Sequence, residues 1–488
     1  MIFLKKLMEP LLFCKRNSCK IVSYRTILVF LVAINGFSCF GYQSENGNDK
    51  DGIWESLGYG RIITIANGEY VLSAVTKFSC LPIMEGHIAE FGDVLKLKND
   101  TLLLTNGINR YYFTRIVEAP PVCKKGSKAY KAAKAMAQNP EHNFEVLWDT
   151  FKNHYAYFEL RGIDAENMYA KYRPRISPET SEAELFLILY EMLESFDDGH
   201  IGINAEKEVL KAASKMYRAQ NPLQNEEESF ESEEVAEMIA KKYIPNGKSL
   251  RGDNLRWGML EQNIGYVQIN EMEGMADYGI KNTIKGDRYW KAYSKKSENS
   301  ENELADEVKG INKAIDNILN DFRNVSALII DLRCNGGGID EVGMEILKKL
   351  NDEEKIVFTK KARWDGGFTP VVKVVQPAVE KPYEKPVYLL IGPESDSATE
   401  IMALSSLSIP NIKLVGSSTE GIFSDVLEKT LPNGWSFELS NEVYLDMKGN
   451  NYESIGIPPD IPIDYPRDID AYFKKLVDDL KIGDAAIT

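Results

Sequence analysis

The chain has 488 residues, of which 44% are hydrophobic and 27% charged, a composition that can bury the cores of two or three globular domains. Its formal net charge of −15 argues against sequence-independent binding of nucleic acid, because such binding requires Lys and Arg side chains that neutralise phosphates. Six cysteines in a chain of this length are too few for a scaffold built on disulfides.

The first 39 residues have the layout of an export signal. Positive charge in KRNSCKIVSYR precedes the apolar stretch TILVFLVAINGFSCFG, whose core is too short for a transmembrane helix. We predict a signal peptide or lipoprotein signal over residues 1–39, with Cys39 as the candidate for lipid attachment and simple cleavage as the alternative. A polar tether follows over residues 40–51. These features predict export to a bacterial-type cell envelope, as a periplasmic protein or a membrane-anchored lipoprotein.

Residues 52–120 are predicted to form a small antiparallel β-domain. Asn-Gly dipeptides in RIITIANGEYVLSAVT and DTLLLTNGINRYYFTRI indicate tight hairpin turns. The Trp and Tyr residues of this domain leave a glycan-binding surface open as a hypothesis, although such aromatics are more often core. Cys80 and Cys123 could form a disulfide in an exported protein, or remain two unpaired apolar side chains.

Helical patterns follow over residues 128–205, which we predict to be a helical subdomain. The segment SEAELFLILYEMLESF begins with Ser181 and Glu184 at capping-box spacing and carries its apolar residues on one face. The sequence DDGH is therefore expected at the C-terminal end of this helix. Residues 206–255 are strongly acidic and are predicted to be a helical insertion. Residues 256–475 alternate short apolar runs with helices, as expected for an α/β core with buried strands.

Two strand-to-helix turns in this core can carry chemistry. Three consecutive glycines in DLRCNGGG, Gly336–Gly338, can direct backbone N–H groups at a phosphate or a developing oxyanion, or can serve only as a structural turn. The spacing does not match nucleotide-binding fingerprints. In GPESDSATE, Ser397 can be a nucleophile or a helix cap, and Ser395 can be a cap.

Four motifs, DDGHIGI, DLRCNGGG, SDSATE and NYESIGIPPDIPI, occur in an order that resembles the tail-specific (C-terminal processing) serine proteases. The resemblance runs from about residue 140 to about residue 470 and is closest to the tricorn-like branch. It implies an α/β fold with a crotonase/ClpP-like core and a helical N-terminal subdomain. Here that fold is preceded by the small antiparallel β-domain, which lies outside the resemblance.

The resemblance also implies roles for individual residues. Ser397 matches the nucleophile, His200 the general base and Glu453 the acidic residue of the tricorn-like branch. The oxyanion hole would use the N–H of Ala398 and an N–H from the turn Gly336, Gly337, Gly338. The free imidazole pKa of about 6.5 suits the proton transfer expected of His200.

The sequence departs from the family pattern at two positions. Gly199 stands where the tricorn-like branch places a serine between its glutamate and its histidine. Ile422 stands where the lysine-dependent branch places its base, so the chain either uses His200 or is inactive. Lys429, the nearby lysine, is predicted to be an exposed strand residue.

The sequence as a whole therefore predicts an exported serine endopeptidase that acts on peptides or unfolded proteins. A catalytically inactive homologue that binds a peptide or another ligand in the envelope is the alternative. No cofactor or metal is expected, because His87, His142 and His154 show no metal-ligand spacing and the reaction needs none. Asp331 and Arg333 are predicted to anchor the glycine turn, and Asp198 to anchor the segment beside His200.

Overall fold

The computed structural model describes residues 49–220, 232–466 and 468–478. The predicted export signal with Cys39, most of the predicted tether and the middle of the acidic segment lie outside the described residues. Within the described ranges, no helix combines the length and the apolar character needed to cross a membrane.

The first unit is a seven-stranded antiparallel sheet, as predicted, with the strand order β4-β3-β2-β1-β7-β6-β5. Asn67 and Gly68 turn the chain between β2 and β3 with φ values of 55° and 83°, the left-handed backbone that a tight hairpin requires. Trp54, Tyr70 and Tyr111 are buried in the domain, so these rings are not available for a glycan-binding surface. The strands are β1 (Gly52–Ser56), β2 (Arg61–Ala66), β3 (Glu69–Val75), β4 (Cys80–His87), β5 (Leu95–Lys98), β6 (Thr101–Asn106) and β7 (Asn109–Ile116).

A helical subdomain follows and ends in a short strand, β8 (Gly202–Asn204). Ser181 and Glu184 form the predicted capping box, in which the Ser181 side chain accepts from Glu184 N and the Glu184 side chain accepts from Ser181 N. Strand β8 pairs with a core strand, which fixes the chain immediately after His200. The helices are α1 (Lys128–Ala135), α2 (Pro140–His154), α3 (Ala165–Tyr172), α4 (Glu182–Glu194) and α5 (Lys207–Gln220).

The core is built on a second seven-stranded sheet with the order β21-β17-β16-β12-β11-β10-β9. The pairs from β11 to β21 are parallel, and β10 and β9 continue the sheet antiparallel. Strands β11 and β12 are buried at every residue because helices cover both faces, which explains their continuous apolar runs. The strands are β9 (Lys248–Leu250), β10 (Leu255–Met259), β11 (Ile264–Ile269), β12 (Ala327–Asp331), β16 (Val387–Ile391), β17 (Ile412–Gly416) and β21 (Ile461–Pro462).

Six helices and two small sheets complete the described part of the core. One sheet joins β13 to β14, β15 and β20, and the other has the order β18-β19-β8. The helices are α6 (Ser232–Tyr243), α7 (Asp287–Ser297), α8 (Glu303–Asp321), α9 (Asp340–Lys348), α10 (Ala398–Ser406) and α11 (Ile469–Asp478). The remaining strands are β13 (Lys355–Trp364), β14 (Gly367–Phe368), β15 (Val372–Gln376), β18 (Val426–Thr430), β19 (Ser436–Ser440) and β20 (Glu442–Asp446).

The segment predicted to be an acidic insertion contributes to the core. Val235 and Ile239 of α6 are fully buried and belong to an apolar cluster with Tyr266 of β11. Strand β9 extends the main sheet by pairing with β10. Helix α6 is therefore amphipathic, with its apolar face packed on the sheet and its charged residues away from it.

The prediction that Lys429 is exposed is wrong. Its side chain is buried between the core and the β-domain, and its Nζ donates to the backbone oxygens of Tyr59, at 2.6 Å, and Gly60, at 3.0 Å. Burial lowers its pKa well below the ordinary value, and the positive charge of Arg61 lowers the pKa further. The alternating pattern of the strand could not reveal this burial, because the acceptors come from a distant turn.

The structure joins Cys80 to Cys123 in a disulfide, across a sequence separation of 43. This bond ties β4 to the segment that leaves the β-domain. Replacing both cysteines with serine is expected to lower the free energy of unfolding by about 2–4 kcal/mol, because the unfolded chain regains the entropy of an open loop. Urea unfolding with and without reductant measures the effect. Cys334→Ser is the control for loss of a thiol outside the bond, and identical midpoints for wild type and double variant would contradict the expectation.

Candidate active site

Ser397 lies at the end of the loop between β16 and α10, at the position before the first helical residue. Its backbone is left-handed, with φ 54° and ψ −124°, a conformation that is strained for a residue with a side chain. The side chain accepts no capping hydrogen bond from the helix. Instead, its Oγ lies 3.1 Å from Nε2 of His200. The helix-cap interpretation therefore fails for Ser397, and its hydroxyl faces a histidine.

Ser395, the other serine of the turn, has a structural role. Its Oγ donates to the backbone oxygen of Leu332 at 2.7 Å and accepts from the N–H of Gly392 at 3.1 Å. These bonds connect the ends of β12 and β16, and Ser395 is fully buried. It therefore supports the turn that presents Ser397 and does not cap α10.

The glycine turn packs directly against Ser397. A Cβ atom on Gly337 would lie 2.6 Å from Cβ of Ser397 and 3.0 Å from the N of Ala398, and φ at Gly337 is 91°. Only glycine permits this approach. The N–H of Gly337 donates to Oδ1 of Asn335 at 2.9 Å, whereas Gly336 and Gly338 are exposed. The structure thus brings Gly337 and Ala398, two of the four predicted oxyanion-hole residues, beside Ser397, and Gly336 and Gly338 flank Gly337 in the same turn.

Buried side chains hold this turn in place. Asp331 accepts from the backbone N–H of Arg333 at 3.1 Å and from its guanidinium at 2.8 and 2.7 Å. The third guanidinium nitrogen of Arg333 donates to the hydroxyl of Tyr465 at 3.0 Å. Asn335 donates to the backbone oxygen of Ile269 at 3.0 Å. Asp331 and Arg333 are therefore located where the sequence predicted an anchor for the turn.

His200 is positioned by its neighbour Asp198. The Oδ1 of Asp198 accepts from the backbone N–H of His200 at 3.0 Å and from the Ser440 hydroxyl at 2.9 Å. Its Oδ2 accepts from the Tyr155 hydroxyl at 3.0 Å. The preceding residue, Asp197, turns the chain with a left-handed φ of 52°. Backbone contacts on both sides of His200 therefore hold the segment from which its ring reaches Ser397.

Glu453 is buried and interacts with the His200 segment through an arginine. Its Oε1 accepts from Nη2 of Arg161 at 3.0 Å, and its Oε2 accepts from the N–H of Phe423 at 3.0 Å. The Nε of Arg161 lies 3.5 Å from Oδ2 of Asp198, and its Nη1 donates to the backbone oxygen of Asp197. Arg161 therefore bridges Glu453 and the two residues that precede Gly199.

Sequence reasoning missed Arg161, which belongs to no recognised motif. The signal that could have found it is indirect, because two buried acidic residues near one histidine require a cation. Burial, reinforced by the charge of Asp198, raises the pKa of Glu453 to about 7, and the bonds from Phe423 and Arg161 oppose that rise.

Gly199 and Ile422, the two departures from the family pattern, are in contact. A Cβ atom on Gly199 would overlap Cδ1 of Ile422, so a serine at position 199 would require this isoleucine to move. Ile422 is held in turn by Glu400 of α10, whose carboxylate accepts from Gly421 N at 2.8 Å and Ile422 N at 2.6 Å. Burial raises the pKa of Glu400 to about 8. The two departures therefore occur at residues that pack against each other, and Gly199 is next to His200 in the sequence.

We looked for groups that could hold a metal ion in the part of the chain that the structure describes. It contains no group of three or more His, Cys, Asp or Glu side chains arranged to bind one. The arrangement of Ser397, His200, Ala398 and the glycine turn can instead support nucleophilic acyl transfer, with a hydroxyl, a nearby imidazole and N–H groups in one place.

Comparison with known proteins agrees with this geometry. Residues 263–463 match the model of peptidase family S41, and residues 136–194 match that of the Tricorn protease C1 domain. Residues 263–463 therefore form a peptidase family S41 domain within this chain. The predicted resemblance to the C-terminal processing serine proteases is thereby confirmed.

Two curated relatives match parts of the chain. The carboxy-terminal processing protease CtpA of Bacillus subtilis is 25% identical over 170 residues, which covers 35% of this chain and 34% of the relative. The carboxyl-terminal-processing protease of Picosynechococcus is 30% identical over 134 residues, which covers 27% of this chain and 30% of the relative. The chain thus spans about a third of the length of the curated relatives it matches.

A solved structure from Parabacteroides merdae shares the fold. It is 20% identical, with a TM-score of 0.52, and the match covers 72% of this chain and 97% of that chain. The predicted fold class, an α/β core with a helical subdomain and a preceding antiparallel sheet, is confirmed.

Replacing Arg161 with methionine is expected to destabilise the protein by about 3–5 kcal/mol, because Asp198 and Glu453 would remain buried without a cation. Urea unfolding measures the loss. The double variant Arg161→Met/Glu453→Met removes one of the two carboxylates and should recover part of the stability. Strictly additive losses from the two substitutions would show that Arg161 does not stabilise Glu453.

The raised pKa of Glu453 predicts a pH dependence of stability. Between about pH 4.5 and 7 the folded protein retains a proton that the unfolded chain releases, so the free energy of unfolding falls as pH rises through this window. Relative to wild type, Glu453→Gln should show a shallower fall, by about 1–3 kcal/mol across the window. The exposed Glu159→Gln is the control. Parallel pH profiles for wild type and Glu453→Gln would contradict the assignment.

Proposed function

We propose that the protein is an exported serine endopeptidase that hydrolyses peptides or unfolded proteins through an acyl-enzyme on Ser397. The observation that carries this proposal is the 3.1 Å separation between Oγ of Ser397 and Nε2 of His200. A hydrogen bond of this length allows the imidazole to accept the hydroxyl proton during attack. Family membership supports the reaction class, and the strained backbone of Ser397 supports its exposure to substrate.

In the first half-reaction, Oγ of Ser397 attacks the carbonyl carbon of the scissile peptide and its proton passes to Nε2 of His200. The oxygen of the tetrahedral intermediate accepts hydrogen bonds from Ala398 N–H and an N–H of the glycine turn, for which Gly338 and Gly336 are the candidates. His200 then donates its proton to the leaving amine. Water, deprotonated by His200, attacks the ester and releases the acid product and Ser397.

We assign Glu453 a positioning and electrostatic role. Its charge reaches the His200 segment through Arg161, which also lies against Asp198 and Asp197. Two carboxylates and one guanidinium leave this pocket with a net negative charge when Glu453 is ionised, and this charge favours the imidazolium formed during catalysis. The contact of Ile422 with Gly199 supports a route that uses no intervening hydroxyl.

The proposed location is the bacterial-type cell envelope. The charged and apolar layout of residues 1–39 supports export, and the Cys80–Cys123 disulfide supports an oxidising compartment. Lipid attachment at Cys39 is a prediction from the sequence pattern alone.

The alternative is an inactive homologue that binds peptides, and the same Gly199–Ile422 contact is the observation that favours it. A fluorophosphonate probe distinguishes the two, because it reacts only with an activated serine. Wild type should be labelled at Ser397, identified by peptide mapping, and should cleave an unstructured peptide. Saturable peptide binding without labelling or turnover would favour the alternative.

Ser397→Ala and His200→Gln are each expected to lower turnover of an unstructured peptide by at least about 1,000-fold, because each removes one member of a concerted proton transfer. Ser177→Ala is the control, since it removes an exposed serine hydroxyl outside the site. It should retain labelling at Ser397. Full activity in either catalytic variant would refute the assigned roles.

A further inference from the structure

The β-domain reaches the candidate active site through the turn between β6 and β7, residues 106–109, here called the β6–β7 turn. The backbone N–H of Ile108 donates to Oε1 of Glu341 at 2.8 Å. A Cβ atom on Gly107 would overlap that same carboxylate oxygen, and φ at Gly107 is 53°. Only glycine fits this contact. Glu341 is the second residue of α9, the helix that begins directly after the glycine turn and Ile339.

The same turn also contacts the loop on the other side of the site. The Nδ2 of Asn109 donates to Oδ2 of Asp425 at 3.0 Å. Asp425 follows Phe423, whose N–H binds Glu453, and Ile422, which covers Gly199. The β6–β7 turn therefore joins the helix behind the oxyanion turn to the loop that supports Glu453.

These contacts are part-buried, and they adjoin a fully buried charged network, so together they specify one arrangement. Lys360, which is 2% exposed, donates from Nζ to Oδ1 of Asn109 and to Oε2 of Glu442 at 2.8 Å. The Tyr59 hydroxyl of the β-domain donates to Oε1 of Glu442. A buried polar group that loses its partner is costly, so a small displacement of the β-domain would leave several such groups unsatisfied. Ile108 adds an apolar contact with the core cluster that contains Ala398 and Phe423.

We propose that the β6–β7 turn positions the catalytic site, with Ile108 fixing α9 and Asn109 fixing the 421–425 loop, so that turnover requires a docked β-domain. This inference rests on the proposed peptidase function. Its physical basis is that stabilisation of an oxyanion depends on donors held in place before the reaction, and a displacement of about 1 Å can cost about 100-fold in rate. Ile108 and Asn109 are positioning residues, because they act through Glu341 and Asp425.

The two Asn-Gly hairpins of the β-domain supply a matched pair of variants. Gly107→Ala and Gly68→Ala both place a side chain on a left-handed backbone, so both destabilise their turns by about 1 kcal/mol. Only the alanine at 107 displaces Glu341, whereas the neighbour of Gly68 is His87 within the β-domain. We expect Gly107→Ala to lower kcat on an unstructured peptide by about 10–100-fold with KM within about 3-fold, and Gly68→Ala to leave both near wild type.

Asn109→Ala gives a second, independent variant, because it removes the contacts with Asp425 and Lys360 without adding volume. It should show the same fall in kcat and a slower rate of fluorophosphonate labelling. Thermal unfolding in parallel establishes that the variants are folded at the assay temperature.

The outcomes separate this inference from the proposed function. An active wild type with wild-type kcat in both Gly107→Ala and Asn109→Ala would overturn the positioning role and leave the peptidase assignment intact. An equal loss of kcat in Gly68→Ala would also overturn it, since a general weakening of the β-domain would then be enough to explain the loss of kcat. A wild type that neither labels nor cleaves peptide would overturn both.

Discussion

The buried guanidinium of Arg161 is the interaction on which the arrangement of the site depends. It lies between two carboxylates from different parts of the chain, Asp198 of the helical subdomain and Glu453 of the core. Neither carboxylate side chain is exposed, so each needs the cation to offset the cost of leaving water. Asp198 also accepts a hydrogen bond from the backbone N–H of His200. The carboxylate that Arg161 neutralises is therefore the one that holds the histidine segment in place.

Buried basic side chains occupy other junctions of the described structure as well. Lys429 binds the carbonyl groups of the 59–60 turn, and Lys360 binds Glu442 and Asn109, so both connect the β-domain to the core. Within the core, Arg333 connects the segment before the glycine turn to Tyr465, because its guanidinium donates to the tyrosine hydroxyl. Such contacts are poor sources of net stability, but they penalise every alternative docking in which one partner is left alone. They explain how segments that are distant in the sequence adopt one defined arrangement.

Sequence patterns predicted those features that are encoded locally. The apolar runs at β11, β12 and β16 predicted the buried strands of the core, the Ser181–Glu184 spacing predicted the capping box, and the glycines at 336–338 predicted a strand-to-helix turn. Ser397 and His200 were found because they lie in motifs. Arg161 and Lys429 were missed or misplaced, because their partners are distant in sequence and no periodicity encodes them. The role of Glu341 was hidden for the same reason, since its partner is an amide of the β-domain.

The contact between Gly199 and Ile422 changes the meaning of the two departures from the family pattern. Taken separately, each removes a polar group that assists catalysis in related branches. Taken together, they form an apolar contact beside a histidine whose backbone is held by Asp198 on one side and by the β8–β19 pairing on the other. The structure therefore places the His200 segment without a serine at position 199. The proposed role of Glu453 is correspondingly electrostatic, because Arg161 lies between its carboxylate and the residues before Gly199.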